Sequence, residues 1–454
     1  MLSFLETMYR AENGPYAKET DFDLKLIYKT ARKLAQEYEI KYKPDEIINQ
    51  DLAMADRVFA AGVEMAAQVG LYCRSTERII QYTKEEVTQA LREAPFELTI
   101  GAYKDARTLY ARKISDPRTP LVFGGNAGAP MDEDTFYQTA LSYIKEPLID
   151  ALDHGAITMV EGLEVKTGSP LEITATRREL ELLRRGAKLL GRQGMPFIAA
   201  ESSATALGDI AVAAPEYLRR SDIHLCPLLS ELKTDYHNLS KVANFVEYGG
   251  LNGNLPNPIV GGYAGGPEAT LITAMASFIL GTVANQAHLH LCHPVHIRYT
   301  STSTPETMWV ECLVGQAFSR NTNLIILGDI FATCGAGTKE LLYEVVANAL
   351  AISVSAMHLL GVAATNGKYP HASGLEARLM AETGIAAAKQ GMDLPQANEI
   401  VLALVKQYDY TFSNPLLGVP YHEVYDTQRI QPKDDWLRLY HEVKEEASKL
   451  GLDF

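Results

Sequence analysis

LIILGDIFATCGAGTKELLYEVVANALAISVSAMHLLG, residues 324–361, holds one complete strand, turn, helix and strand. LIILG is an apolar run of buried-strand length, and a glycine- and threonine-rich turn separates it from a helix-length segment. MHLLG at 357 then opens the next strand. The same grammar recurs upstream at LVFGG (121), AITMV (156), PFIAA (196), VANFV (242), PIVGG (258) and HLHL (288). Each run is followed by a Gly-, Ser- or Thr-rich turn and a helix-length stretch. Eight such units predict an α/β fold, a closed parallel TIM (β/α)8 barrel.

The region before the barrel reads differently. TDFDLKLIYKTARKLAQEY, with Thr20 or Asp21 as its cap, and DLAMADRVFAAGVEMAAQVG, ending at Gly70, carry apolar residues at helical spacing. Thr83 lies three residues before Glu86, a capping-box start. FELTIGAYKDARTLYARKI alternates around a polar turn and predicts a short hairpin. The expected organisation is a helical N-terminal extension plus hairpin over 1–117, packed on a barrel with C-terminal helices over 118–454. DDWLRLYHEVKEEASKLG closes the chain as an amphipathic helix stopped at Gly451.

Composition narrows the partners. A net charge of −14 over 454 residues argues against nucleic acid or an anionic membrane, both of which select a basic footprint. The five cysteines are scattered without CxxC spacing, as expected of reduced cytoplasmic thiols. No apolar run approaches a membrane span and the N-terminus lacks a signal-peptide pattern, so a cytoplasmic protein is expected.

Chemistry in a TIM barrel gathers where the strands end. Three loops there are glycine-rich: 124–128, 261–266 and 334–337. Missing side chains let a ligand approach the backbone, although turn glycines alone would give the same pattern. There is no P-loop, dinucleotide fingerprint, GxSxG, HExxH or SxxK motif. HLHLCHPVHIR offers His288, His290, His293 and His296, and two imidazoles on one strand face could hold a metal. The reading preferred here is that these rings fill the wall, with no metal held. Arg298, beside a hydroxyl-rich turn, could bind an anion or make a structural ion pair. Glu161, Glu201, Glu268 and Asp329 are strand-end acids suited to base or cation-binding roles.

GGYAGGPEAT (261–270), PVHIRYTSTSTPET (294–307), SELKTD (230–235), GLEARLMAETG (374–384) and GVEMAAQVGLYCRSTERIIQYTKEE (62–86) resemble stretches of the monomethylamine:corrinoid methyltransferases. The resemblance runs over nearly the whole chain. It implies a TIM barrel, a homo-oligomer (a hexamer), and a negatively charged cleft where a methyl donor meets the cob(I)alamin of a separate corrinoid protein. No cofactor would then be bound tightly by this chain; cobalamin comes with the partner. The family's pyrrolysine stands in a Gly-Met-X-X context, and the matching stretch here, Gly194-Met195-Pro196-Phe197-Ile198, ends in isoleucine. By the same comparison two glutamate positions fall at Leu225 and Leu255, and a glutamine position at Asp329 or Ile330. Glu201 matches a glutamate three residues after pyrrolysine.

An imine can bind an amine nucleophile, whereas isoleucine offers only volume. The concerted change to hydrocarbon points to a remodelled pocket. Cob(I)alamin attacks methyl in line, so a donor whose leaving group departs neutral, such as a quaternary amine, needs no covalent help. In the neighbouring trimethylamine methyltransferase superfamily, members without pyrrolysine act on such donors, a precedent by analogy. The sequence reading is therefore a corrinoid-dependent methyltransferase without pyrrolysine, acting on a small methylated donor. Its expected catalytic residues are Glu201, Glu268, His296, Arg298 and Asp329. Phe197, Ile198, Leu225, Leu255, Tyr263, Tyr299 and Phe331 are expected to bind substrate, the aromatics because a cation favours ring faces. Two alternatives stay open: an inactive scaffold that binds the corrinoid protein, and a metal-dependent barrel enzyme using His288 and His290.

Overall fold

The computed structural model describes residues 2–454. Eight parallel strands close into a barrel: β1 Val122–Gly124, β2 Ala151–Asp153, β3 Phe197–Ala199, β4 Ile223–Leu228, β5 Leu251–Pro256, β6 Leu289–Cys292, β7 Ile326–Phe331 and β8 His358–Ala363. β8 pairs back onto β1 through Leu360 and Phe123. The expected barrel is present, and five of its eight strands lie where the apolar runs predicted.

Three do not. VANFV sits inside the helix Tyr236–Tyr248, which Asp235 caps and Gly249, at φ 74°, ends. The fourth strand is IHLCPL at 223, just upstream. PIVGG contributes only a rim pair, Ile259–Val260 against Val295–His296. The fifth strand is LNGNLP, whose asparagines disguise it: Asn252 donates to the Asn285 carbonyl and Asn254 to His290 Nδ1 within the wall. AITMV is likewise split between two rim pairs, the second strand being Ala151–Asp153.

Side chains alternate across each strand. One set, including Phe123, Ile198, Leu225, Leu291, Leu327 and Leu360, fills the barrel; the alternate set meets the surrounding helices. The predicted hairpin is Glu97–Ile100 with Arg107–Tyr110. It closes the N-terminal end of the barrel, where Ile100 and Leu109 join the interior cluster. Gly101 N donates to Ser221 O (2.8 Å), Ala102 N to Gly194 O (2.9 Å) and His358 Nε2 to Tyr110 O (2.7 Å). In barrels of this kind chemistry sits at the opposite end.

In the N-terminal extension, Leu52–Val69 starts at Asp51, whose carboxylate accepts from Ala53 and Met54, a cap worth about 1 kcal/mol. The capping box of Thr83 and Glu86 is formed. Thr20 and Asp21 instead lie within a helix that starts at Glu19 and widens to a π-turn over Phe22–Ile27. Pro267–Ala284 corrects the expectation that no segment reaches membrane-spanning length: it is an 18-residue helix apolar enough by composition. Its threonines and Ser277 break the apolar run in the sequence. Here it is a core helix, buried from Ala269 to Ala284 and packed against Leu52–Val69, where a Cβ on Gly62 would come within 2.4 Å of Met275 Cβ.

Candidate functional site at the barrel mouth

Asp153 ends β2, and its register partner on β3 is Ile198. Parity turns both side chains inward, with Ala151 and the hydrocarbon interior. Asp329, two residues past inward-facing Leu327 on β7, also points into the mouth, and Glu201 follows β3. Asp153 and Asp329 are 3% and 4% exposed, and each keeps a buried Oδ1 without a hydrogen-bond partner. The glycine loop after β1 lies against them. A Cβ on Gly125 would stand 1.4 Å from the Asp153 carbonyl oxygen, and one on Gly128 would stand 3.6 Å from Glu201 Oε2.

Carboxylates on the surrounding helices hold the strand ends by their backbone amides. Glu179 accepts from Glu201 N (3.1 Å) and Ser202 N (2.8 Å). Asp209 accepts from Ala200 N and pairs with Lys241 Nζ at 2.6 Å. Glu311 accepts from Asp329 N (2.9 Å), and Glu344 from Thr333 N and Cys334 N. The result is a fixed rim of buried carboxyl groups. Burial, then the charges of Glu179 and Asp209, push Glu201 up to about 8, against the pull of Lys241. Burial, with the charges of Glu201 and Asp329, holds Asp153 well above the usual carboxylate range. Glu179 is pushed up to about 7 by burial.

One imidazole completes the mouth. His293, just beyond β6, donates from Nδ1 to Asp329 Oδ2 at 2.5 Å and meets the edge of Phe331 at 4.8 Å between centroids. Further out, Tyr299 stacks between His296 (4.6 Å) and Phe412 (5.6 Å). Ile198 and Leu225 are buried and Leu255 half-buried on the inner face, so the mouth joins a hydrocarbon floor to an acidic rim.

A family profile described as Monomethylamine methyltransferase MtmB matches residues 2–452. This chain belongs to that family. It is 32% identical to Monomethylamine methyltransferase MtmB2 of Methanosarcina acetivorans over 98% of this chain and 97% of the relative. The Methanosarcina mazei MtmB is equally similar, with the same coverage. The crystal structure of the Methanosarcina barkeri Monomethylamine Methyltransferase (MtmB) superposes with a TM-score of 0.96 at 31% identity, covering 99% of this chain and 98% of that one. The crystal structure of the hydroxylamine MtmB complex matches to the same extent.

In this MtmB-family chain the expected site residues separate into groups. Glu201, Asp329, Ile198, Leu225 and Leu255 come together at the mouth, with Phe331 beside His293. Tyr299 and His296 form the outer aromatic rim, where burial holds the His296 pKa down. Phe197, one residue from Ile198, faces outward and lies under the Arg184 guanidinium at 4.2 Å. Glu268 accepts from Tyr42 N at 3.1 Å, tying its helix to the N-terminal extension. Tyr263 is half exposed beneath Lys233 Nζ, and Arg298 is exposed, its backbone N donating to His296 Nδ1.

The MtmB-family histidines give no support to a metal centre. His290 is buried in the wall, pushed to about 3 by desolvation, with Asn254 and Thr282 on its two ring nitrogens. His288 Nδ1 accepts from Asn252 N. Among the described residues no three His, Cys, Asp or Glu side chains converge at metal-ligand spacing. Asp153 is not visible in the sequence, because β2 ends before AITMV, and His293 is offered there only as one of four possible metal ligands, since nothing local distinguishes it from its neighbouring histidines. A groove of about 740 Å³ between Phe4, Met8, Tyr236 and Val246 lies on the outside of the barrel.

Proposed function

We propose that this chain transfers a methyl group from a small methylated ammonium donor, quaternary or protonated, to cob(I)alamin carried by a separate corrinoid protein. The carrying observation is the inward pairing of Ile198 with Asp153 at a mouth that also holds Glu201 and Asp329. Hydrocarbon receives the methyl groups, and the carboxylates hold the positive nitrogen. The family membership, with relatives named monomethylamine methyltransferases, supports the reaction class. In this reading isoleucine replaces pyrrolysine, so the donor's own positive charge makes the amine a leaving group.

The corrinoid supplies the nucleophilic cobalt when its carrier docks. The chain's residues then have three tasks. Asp153, Glu201 and Asp329 orient the nitrogen, Ile198, Leu225 and Leu255 fix the alkyl groups, and the stapled strand ends keep both sets from rearranging. The compartment consistent with this chemistry and with the free cysteines is the cytoplasm, and the assembly a homo-oligomer.

The test is anaerobic methylation of free cob(I)alamin followed by visible absorbance, with a panel of methylated, dimethylated and quaternary amines. Methylcobalamin formed with one donor class establishes the reaction. If no donor works while a cognate corrinoid protein still binds, the chain is a scaffold and the catalytic reading fails.

A further inference from the structure

The mouth gathers more negative charge than it neutralises. Asp153 meets the fields of Glu201, Asp329 and Glu179; Glu201 meets those of Glu179, Asp209 and Asp329, with Lys241 as the opposing cation. Asp329 has His293 on one oxygen and Glu311 on its backbone N. Lys241 is already paired to Asp209. Two buried oxygens, Asp153 Oδ1 and Asp329 Oδ1, have no partner, and both belong to inward-facing side chains. Among the described residues no three acids converge at metal-ligand spacing. Hydrocarbon at Ile198 beside Asp153 suits an organic cation better than a bare ion.

Buried like charges cannot all ionise near neutral pH, so the mouth retains protons that a cation would replace. We propose that Asp153 and Glu201, beside Asp329, form a proton-exchanging cation site: a methylated ammonium ion enters as a proton leaves, and the neutral amine departs as a proton returns. This rests on the donor class proposed above. Transfer breaks the carbon–nitrogen bond, whose electron pair stays on nitrogen, and the carbon–cobalt bond forms with the cobalt's pair. The nitrogen thereby loses its charge. The carboxylates, left without a counterion, recover a proton from solvent, and the amine has no further electrostatic hold.

The experiment is calorimetric titration of the intact protein with tetramethylammonium chloride at pH 7 in two buffers of different ionisation enthalpy. The expected result is release of up to about one proton per cation, with affinity rising as much as roughly tenfold per pH unit below the cluster's titration. Asp153→Asn and, separately, Glu201→Gln, each checked for folding by circular dichroism, reduce the released protons. The neutral isostere tert-butyl alcohol releases none. Binding without proton release, no binding, or unchanged release in both folded variants overturns the proposal. Cob(I)alamin methylation measured on the same samples separates the two readings. Transfer without proton-linked binding leaves the methyltransferase standing and removes the exchange; proton-linked binding without transfer does the reverse.

Discussion

Asp153 and Ile198 are register partners on adjacent strands, so a carboxylate and a branched hydrocarbon face the barrel mouth side by side. Ile198 is 1% exposed and packs in the interior cluster with Leu225. Ile198→Ala is therefore expected to cost about 2–5 kcal/mol and Ile198→Val about 0.5–1.5 kcal/mol. Urea unfolding measures both. Ile198→Val should also shift preference toward bulkier donors, and an unaltered donor profile would place the substrate elsewhere.

The pair His293 and Asp329 gives a second prediction. Asp329→Asn removes a charge-assisted hydrogen bond of about 1.5–3 kcal/mol, so kcat/KM for cobalamin methylation should fall roughly 10- to 100-fold. A drop below about twofold, with the fold intact, would make the pair purely structural.

Lys241 and Asp209 are 6% and 1% exposed and lie behind the β3 loop. Lys241→Met strands a buried carboxylate and should destabilise by about 3–5 kcal/mol, whereas the double change with Asp209→Asn should recover much of that. Equal losses in the single and double variants would show that the two side chains are not coupled.

Buried histidines and buried acids act in opposite directions on stability as pH changes. His154 and His224, pushed to about 4, and His290 and His358, pushed to about 3, stay neutral in the fold; stability is lost as pH falls below about 6.5, where unfolded histidines charge. Glu179 and Glu231, pushed up to about 7, and Glu201, pushed up to about 8, keep protons that the unfolded chain has already released. Their contribution is lost progressively from about pH 4.5, where the unfolded carboxyl ionises, up to those values. Above about pH 6.5 the histidines are neutral in both states, so thermal unfolding should show Tm declining from there to about pH 8, with a shallower decline in Glu201→Gln. A Tm that rises over that interval contradicts the assignment.

Much of the fold was legible because buried parallel strands are continuous apolar runs. LVFGG, PFIAA, HLHL, LIILG and MHLLG each fall on a barrel strand. β5 escaped because Asn252 and Asn254 satisfy one another's neighbours inside the wall, a compensation no local pattern displays. VANFV misled because a helix buried on one face offers the same short run.

For the site, the sequence by itself determined the residue at position 198, the strand-end acids Glu201 and Asp329, and the resemblance that the family match bears out. Local chain chemistry carries that information. Only the tertiary structure decided that Asp153 stands beside Ile198, that His293 and not its neighbours meets Asp329, that Phe197 faces the helices and that Glu268 bonds Tyr42 N. Barrel closure sets strand register and side-chain parity, and these are fixed by hydrogen bonds between segments far apart in sequence.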